Sequence, residues 1–294
     1  MIFATIDVGS NAVRLLLTDV RAADEEVIFE RMTLLRVPIR LGDDAFSRGR
    51  ISDEKTNRLI KILSGFTEIS KGFQVVDTMA CATSALREAK NGQAVAQKIK
   101  RKTGIDLKII DGKKEAKLIY ANHIEEHFDP RYSYLYIDVG GGSTEVTFVC
   151  NDFKKSKSFD VGCIRLKEGY VSEKKWEEMD AWLKKNVPAE DVIGIGSGGN
   201  IRSLYLLAGK FNNEPLDISD LEKLDKKLRK YTVEERISRL GLRPDRADVI
   251  VPACSIYIHI LKICGIHTIS APIIGLSDGM VHELYAKHKK KFSK

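Results

Sequence analysis

Several features are scarce in this sequence, and each scarcity excludes a class of protein. No apolar run approaches the roughly 18–20 residues that a membrane-spanning helix requires. Met1 leads straight into the strand-like IFATIDV, without a basic n-region or cleavage site, so export is not expected. Five cysteines (Cys81, Cys150, Cys163, Cys254 and Cys264) are scattered with no CxxC pair, which argues against a zinc knuckle or redox dithiol. They read as reduced, mostly buried thiols in a cytoplasmic protein. There is no Ser/Gly-rich linker or low-complexity stretch. Nor is there an interleaved aromatic platform or recognised DNA-binding motif, so neither a nucleic acid nor a membrane is the expected partner.

What remains is an ordinary globular composition: 294 residues, 43% hydrophobic and 30% charged, enough for two domains or one large one. The 48 Lys and Arg exceed the 41 Asp and Glu, giving a formal charge of +7. Part of this excess is local, since the tail HELYAKHKKKFSK carries five lysines against one glutamate. Such a tail is ordinarily the solvated end of a helix, where cations are favoured. The sharper reading is attraction of a polyanion.

The opening segment alternates, with Ile2, Ala4, Ile6 and Val8 on a two-residue period, then turns at Gly9-Ser10-Asn11 into a second strand from Val13 to Val20. YLYIDVGGGSTEVTFVC, from Tyr134 to Cys150, has the same form. At an offset of 131 residues, Asp7-Val8-Gly9 falls on Asp138-Val139-Gly140 and Arg14 falls on Glu145. That period is far too long for a solenoid and indicates duplication of a whole domain. The spacing predicts lobes at 1–127 and 128–294, the last helix being free to pack back on the first. The hinge is expected at Phe128-Asp129-Pro130-Arg131, with a cleft between the lobes.

Each lobe then predicts a strand, a small-residue loop and a helix: Val75 to Ala82 before Thr83-Ser84-Ala85, and Val192 to Ile195 before Gly196-Ser197-Gly198-Gly199-Asn200. Small residues there allow a ligand to approach the backbone at a helix N-terminus. Helices are also predicted over Ser52 to Lys71, Lys113 to His127, Glu173 to Lys185, Ser219 to Lys230, Thr232 to Leu240 and Ala247 to Cys264. The fold class is α/β.

The richest string is Asp138-Val-Gly-Gly-Gly-Ser143-Thr144-Glu145. Gly140, Gly141 and Gly142 offer backbone N–H groups that converge on phosphate, while Asp138 and Glu145 suit Mg²⁺, a hard ion that takes oxygen ligands and keeps several waters. The plain alternative is a tight glycine hairpin with a capping aspartate. In the other lobe Ser10, Asn11 and Arg14 supply a hydroxyl, an amide and a guanidinium, all phosphate ligands. His123 and His127 with Glu126 match the HxxEH spacing of inverted zinc peptidases, but no third ligand stands out.

The chain strongly resembles the exopolyphosphatase / guanosine pentaphosphate phosphohydrolase family. The resemblance runs in order through IDVGSNAVRLLL, RLGDDAFSRGRIS, ACATSALREAKNG, DGKKEAKLIYAN, IDVGGGSTE, VGCIRLKE, GSGGNIRSL, GLRPDRADVIVPA and GLSDGM. It implies two ribonuclease-H-like lobes of the actin, Hsp70 and sugar kinase superfamily, with a cleft between them. It further implies Glu115 as general base toward water, Asp138 and Glu145 as Mg²⁺ ligands or water-positioning groups, and Ser10, Asn11 and Gly140 through Thr144, including Ser143, as a phosphate cradle. Arg87 and Arg246 would neutralise phosphate charge, the bland alternative being salt bridges between lobes. Cys163 falls in a block that lines the family's cleft, where packing is the simpler role for a thiol.

Two departures stand out. Lys114 replaces the first acid of the family's G-x-E-E-A block, and Ser277 stands where many members have arginine. The expected activity is Mg²⁺-dependent removal of the terminal phosphate of inorganic polyphosphate. Guanosine pentaphosphate is the alternative substrate, and a low-turnover polyphosphate or nucleotide sensor and a sugar or acid kinase are the alternatives of other classes. Family members are often dimers, so the resemblance allows a homodimer.

Overall fold

In the computed structural model, which describes all residues except 24–25, 122–128, 130, 152, 189–190, 212–213 and 290–294, the opening alternation forms strand β1 (Ile2–Val8). β1 is buried on both faces because it is the central strand of a sheet. The remaining elements of this half are β2 (Ala12–Ala23), β3 (Glu26–Pro38), α1 (Leu41–Arg48), α2 (Asp53–Gly72), β4 (Asp77–Ala82), α3 (Ser84–Glu88), α4 (Gly92–Thr103), β5 (Leu107–Ile109) and α5 (Gly112–Tyr120). The second half contains β6 (Ser133–Val139), β7 (Thr144–Cys150), β8 (Phe153–Phe159), α6 (Cys163–Lys167), α7 (Glu173–Asn186), β9 (Val192–Ser197), α8 (Gly198–Leu207), β10 (Leu216–Asp217), α9 (Ile218–Arg229), α10 (Val233–Ser238), α11 (Pro244–Ala247), α12 (Ile250–Ile263) and β11 (Thr268–Ser270), before a final helix α13 (Leu276–His288).

The chain divides into two units, Met1–Asn122 with Gly275–Lys294, and His123–Ile274. The division thus falls before the boundary read at 127/128, and the final helix packs back on the first unit, as the sequence left it free to do. Phe128 and Pro130 of the expected hinge, and the His123–His127 string, lie outside the described residues.

In the first unit the sheet order is β3-β2-β1-β4-β5, with β1, β2 and β3 antiparallel and β1, β4 and β5 parallel. One face packs Ile6, Val8, Leu15 and Leu17 against Leu59 and Leu63 of α2 and Ile99 of α4. The other packs Phe3, Leu16 and Val20 against Val281 and Leu284 of α13. α13 also lies on α5 at backbone distance, since a Cβ at Gly279 would stand 1.6 Å from the Leu118 carbonyl oxygen. Any larger residue there would force the two helices apart.

The second unit repeats this plan: β8-β7-β6-β9-β11 has the same order and the same parallel and antiparallel pairings, with β10 added at the edge. The duplication read from the two Asp-x-Gly hairpins is therefore a duplication of a five-strand sheet, the ribonuclease-H-like plan. The helix expected over Ala247 to Cys264 is α12, which starts three residues later at Ile250, while Ala247 closes the short α11. The Arg236 guanidinium takes the Ala247 carbonyl at 3.0 Å and the Val249 N–H turns back to Arg246 O at 3.1 Å, so the chain bends between the two helices. Among the described residues, no helix is long and apolar enough to cross a membrane.

Candidate active site

In the second unit, β6 and β7 place Asp138 directly opposite Glu145, and opposed residues of an antiparallel pair project from the same face. Asp138 is also in register with Ser197 on β9, and Glu145 with Ser158 on β8. Four oxygen-bearing side chains, Ser158, Glu145, Asp138 and Ser197, thus run across one end of the sheet. Ser158 Oγ donates to Glu145 Oε1 at 2.7 Å, while the buried Ser197 Oγ has no hydrogen-bond partner among the described residues. Glu145 is only 4% exposed.

The turn between β6 and β7 is held from one side only. Its carbonyls are engaged: Gly140 O accepts from Cys163 N at 2.9 Å, Gly141 O from Ile164 N at 2.9 Å, and Gly142 O from Arg165 Nε at 2.6 Å. Gly140 N closes the turn on Ser143 O at 2.9 Å, and the Thr144 hydroxyl donates to the Val161 carbonyl. The N–H groups of Gly141, Gly142 and Ser143 donate to no group among the described residues. Three successive backbone donors beside two carboxylates are an arrangement whose chemistry suits an anion on one side and a hard cation on the other.

Gly198, Gly199 and Asn200, read from sequence as a loop before a helix, form the first turn of α8. Its glycines admit the protein's own side chains: a Cβ on Gly198, where φ is +81°, would lie 2.7 Å from Asp138 Oδ1, and one on Gly199 would lie 2.2 Å from Arg246 Nη2. Asn200 donates to Val139 O at 2.7 Å and accepts from Arg246 Nη1. Sequence reasoning did not single out Asn200 as a site residue. Its only signal was its place at the end of the glycine loop.

Buried Cys163 lies in this neighbourhood, and burial pushes its thiol up to about 11 despite the nearby Arg246 charge. It is a protonated packing group at neutral pH, as its simpler reading has it. Burial likewise raises the Tyr257 hydroxyl well above its ordinary value, with the Asp138 charge adding to the effect. That hydroxyl donates to Ser197 O at 3.2 Å and lies 3.4 Å from Val139 N, tying β6 to β9 behind the carboxylates.

In the first unit the corresponding hairpin places Asp7 opposite Arg14, and the two form an ion pair. Ser10 Oγ bonds Ser84 Oγ at 2.8 Å, and the Asn11 carbonyl anchors Ile39 N at 3.1 Å and Arg40 N at 2.9 Å. Glu115 stands in the first turn of α5, whose N-cap Asp111 accepts from Lys114 N at 2.7 Å. It is buried, 8% exposed, and Arg87 Nη1 lies 3.2 Å from its Oε2 and 3.1 Å from Ile110 O. A plain surface charge is therefore excluded for Glu115. The partners of Arg87 and Arg246 named here, Glu115 and Asn200, each lie in the same unit as their arginine. Lys114 pairs with Glu283 of α13, and Ser277 is buried with no hydrogen-bond partner for its hydroxyl among the described residues.

Among the described residues no group of three or more His, Cys, Asp or Glu is placed to hold a metal. The oxygen row of Asp138, Glu145 and Ser197 is the donor set that suits a hard cation retaining waters.

Residues 20–288 match the Ppx/GppA phosphatase family. Exopolyphosphatase 1 of Mycobacterium bovis is 25% identical over 96% of this chain and 87% of its own length. A guanosine-5'-triphosphate,3'-diphosphate pyrophosphatase of Photobacterium profundum is 26% identical over 97% of this chain, which spans 60% of that protein's length. The crystal structure of an exopolyphosphatase from Cytophaga hutchinsonii covers 98% of both chains at a TM-score of 0.84 and 26% identity. With the ordered sequence blocks and the duplicated sheet behind it, a match of this extent means that the chain belongs to the Ppx/GppA phosphatase family, whose members hydrolyse phosphoanhydride bonds.

Proposed function

We propose that the protein is a Mg²⁺-dependent exopolyphosphatase that removes the terminal phosphate of inorganic polyphosphate. The observation that carries this reading is the placing of three backbone N–H groups, on Gly141, Gly142 and Ser143, that donate to nothing among the described residues, beside the Asp138–Glu145 pair. A phosphate chain with its counter-cation matches both halves of that arrangement.

Asp138 and Glu145, with the Ser197 hydroxyl, would hold the ion. When bound, Mg²⁺ supplies positive charge to the phosphate oxygens. Glu115, in the role the family resemblance gives it, would take the proton of the attacking water while the water oxygen bonds to the terminal phosphorus. The bridging P–O bond on the opposite side breaks, and the shortened chain leaves. Arg87 holds the Glu115 carboxylate in one orientation as well as carrying charge for phosphate. The Gly141, Gly142 and Ser143 N–H groups and Arg246 bind non-bridging oxygens, so positioning and charge supply most of the catalysis. The Lys114 departure removes an acid at the surface of α5 and leaves Glu115 in its buried place.

The test is free phosphate release from short polyphosphate, long polyphosphate and guanosine pentaphosphate, with Mg²⁺ and with chelator, for the parent and Glu115→Gln. General-base loss predicts a fall of about 10²–10⁴-fold in the variant. Release from polyphosphate that needs Mg²⁺ and collapses in the variant supports the proposal. Release from the nucleotide alone moves the substrate to that of the pyrophosphatase relative, and binding without turnover supports a sensor.

A further inference from the structure

A backbone carbonyl can only accept hydrogen bonds and a guanidinium can only donate them. Asn200 lies between one of each. Its Nδ2 donates to Val139 O at 2.7 Å, its Oδ1 accepts from Arg246 Nη1, and its second amide hydrogen is directed to Cys163 Sγ, 3.6 Å from Nδ2. A primary amide serves an acceptor and a donor at once, and these partners fix which end is oxygen and which nitrogen. A carboxylate or an aliphatic group of this size cannot fill both roles, and a serine hydroxyl, which donates and accepts, has one atom where the amide has two.

Asn200 is 3% and Arg246 8% exposed, so solvent has little access to replace a lost partner. The Arg246 guanidinium is pressed against the first turn of α8, where only glycine at 199 leaves room for it. Val139 is the residue between Asp138 and the glycine turn. The Asn200 amide therefore connects the guanidinium to the strand end that carries both the carboxylate and the glycine turn.

We infer that Asn200 is a positioning residue for phosphate binding, which sets Arg246 relative to the Asp138-Val139-Gly140 corner and does so without adding negative charge. The inference rests on the reading of Arg246 as a phosphate-binding group. The chemical class it serves is a chain of linked phosphates.

The test is a double-mutant cycle read by calorimetric binding of a methylene-bridged triphosphate, which cannot be hydrolysed, with polyphosphate turnover measured in parallel. Asn200→Asp keeps the shape, but it turns an oxygen toward Val139 O and puts a carboxylate against Arg246. It is expected to weaken binding at least tenfold in the parent and by less than twofold in the Arg246→Ala background. An equal loss in both backgrounds would mean that Asn200 acts on the fold alone and would overturn the inference, as would unchanged binding. Thermal melting accompanies each variant. Should Asn200→Asp fail to fold, Asn200→Ser goes through the same cycle, with about a fivefold loss expected only when Arg246 is present. Since binding is read without turnover, an inactive parent that binds the analogue would sink the hydrolase reading and leave this one standing.

Discussion

The two Asp-x-Gly hairpins share a backbone and differ in what they carry. Across the first sheet, at the level of the aspartate, the side chains are Arg36, Arg14, Asp7 and Cys81; across the second they are Ser158, Glu145, Asp138 and Ser197. In the first row the central carboxylate is answered by the arginine facing it. Its other neighbour is a thiol that burial, with the Asp7 charge adding, pushes up to about 12, so it stays neutral. In the second row the central carboxylate faces another carboxylate and a hydroxyl. Two like charges about 5 Å apart in a protein repel by about 3 kcal/mol at an effective dielectric of about 20. Duplication supplied the same frame twice, and the exchange of arginine for glutamate at one register position separates a hairpin whose aspartate is paired with the arginine facing it from one whose facing carboxylates suit an added cation.

The largest effect is expected from making the second row an image of the first. Glu145→Arg sets a guanidinium opposite Asp138, which should keep the fold while abolishing the proposed Mg²⁺ site and lowering the proposed phosphate release about 10³-fold or more. Release within tenfold of the parent would break the comparison. The reverse change, Arg14→Glu, makes the first row resemble the second. It strips Asp7 of its partner and is expected to cost about 2–3 kcal/mol, a fall in Tm of roughly 5–10 °C. Millimolar Mg²⁺ should restore part of that loss in the variant and have no such effect through this position in the parent. A variant as stable as the parent would show that Asp7 does not depend on Arg14 for its partner.

The hairpins were legible because both the alternation and the Asp-x-Gly turn are local, and the gapless offset already set Arg14 over Glu145. The edge strands β3 and β8 were not foreseen. EVIFERMTLLRVP and FKKSKSF mix charge with apolar residues because each strand has a neighbour on one side only, and an edge of that kind has no strong periodic signature. The glycines at 198 and 199 announced a close approach without saying whose; the visitors are Asp138 and Arg246, each brought there by the fold. Glu115 looked like any acid in a first helical turn until Arg87, 28 residues away, came against it. Lys114 read as a lost acid, yet its partner Glu283 is 169 residues distant and invisible to any local window.

The smallest expected effect concerns how the first unit, unlike the second, is closed by a helix from the far end of the chain. At the start of β4, Asp77 accepts from Lys287 Nζ and His288 Nε2, each at 2.8 Å, tying down the last turn of α13. Burial alone would raise the Asp77 carboxyl, but the hydrogen bonds from His288 and Lys287 outweigh it and hold the group below its ordinary value of 3.8. A carboxylate depressed in the folded state stabilises above its ordinary pKa, and that contribution is lost as pH falls through the lower folded one. Asp77→Asn should therefore cost about 0.5–1 kcal/mol near pH 7, as suits a partly exposed pair. The gap to the parent should shrink steadily below pH 4. Asp278 in the first turn of the same helix works in the opposite sense: burial raises it against the opposing Arg31 charge, so its contribution is lost as pH rises through its folded value. Urea unfolding of the parent and Asp77→Asn at pH 7, 5 and 3 separates the two. A gap that stays constant across that range would mean that the last turn of α13 is held by packing on Phe3 rather than by the charge on Asp77.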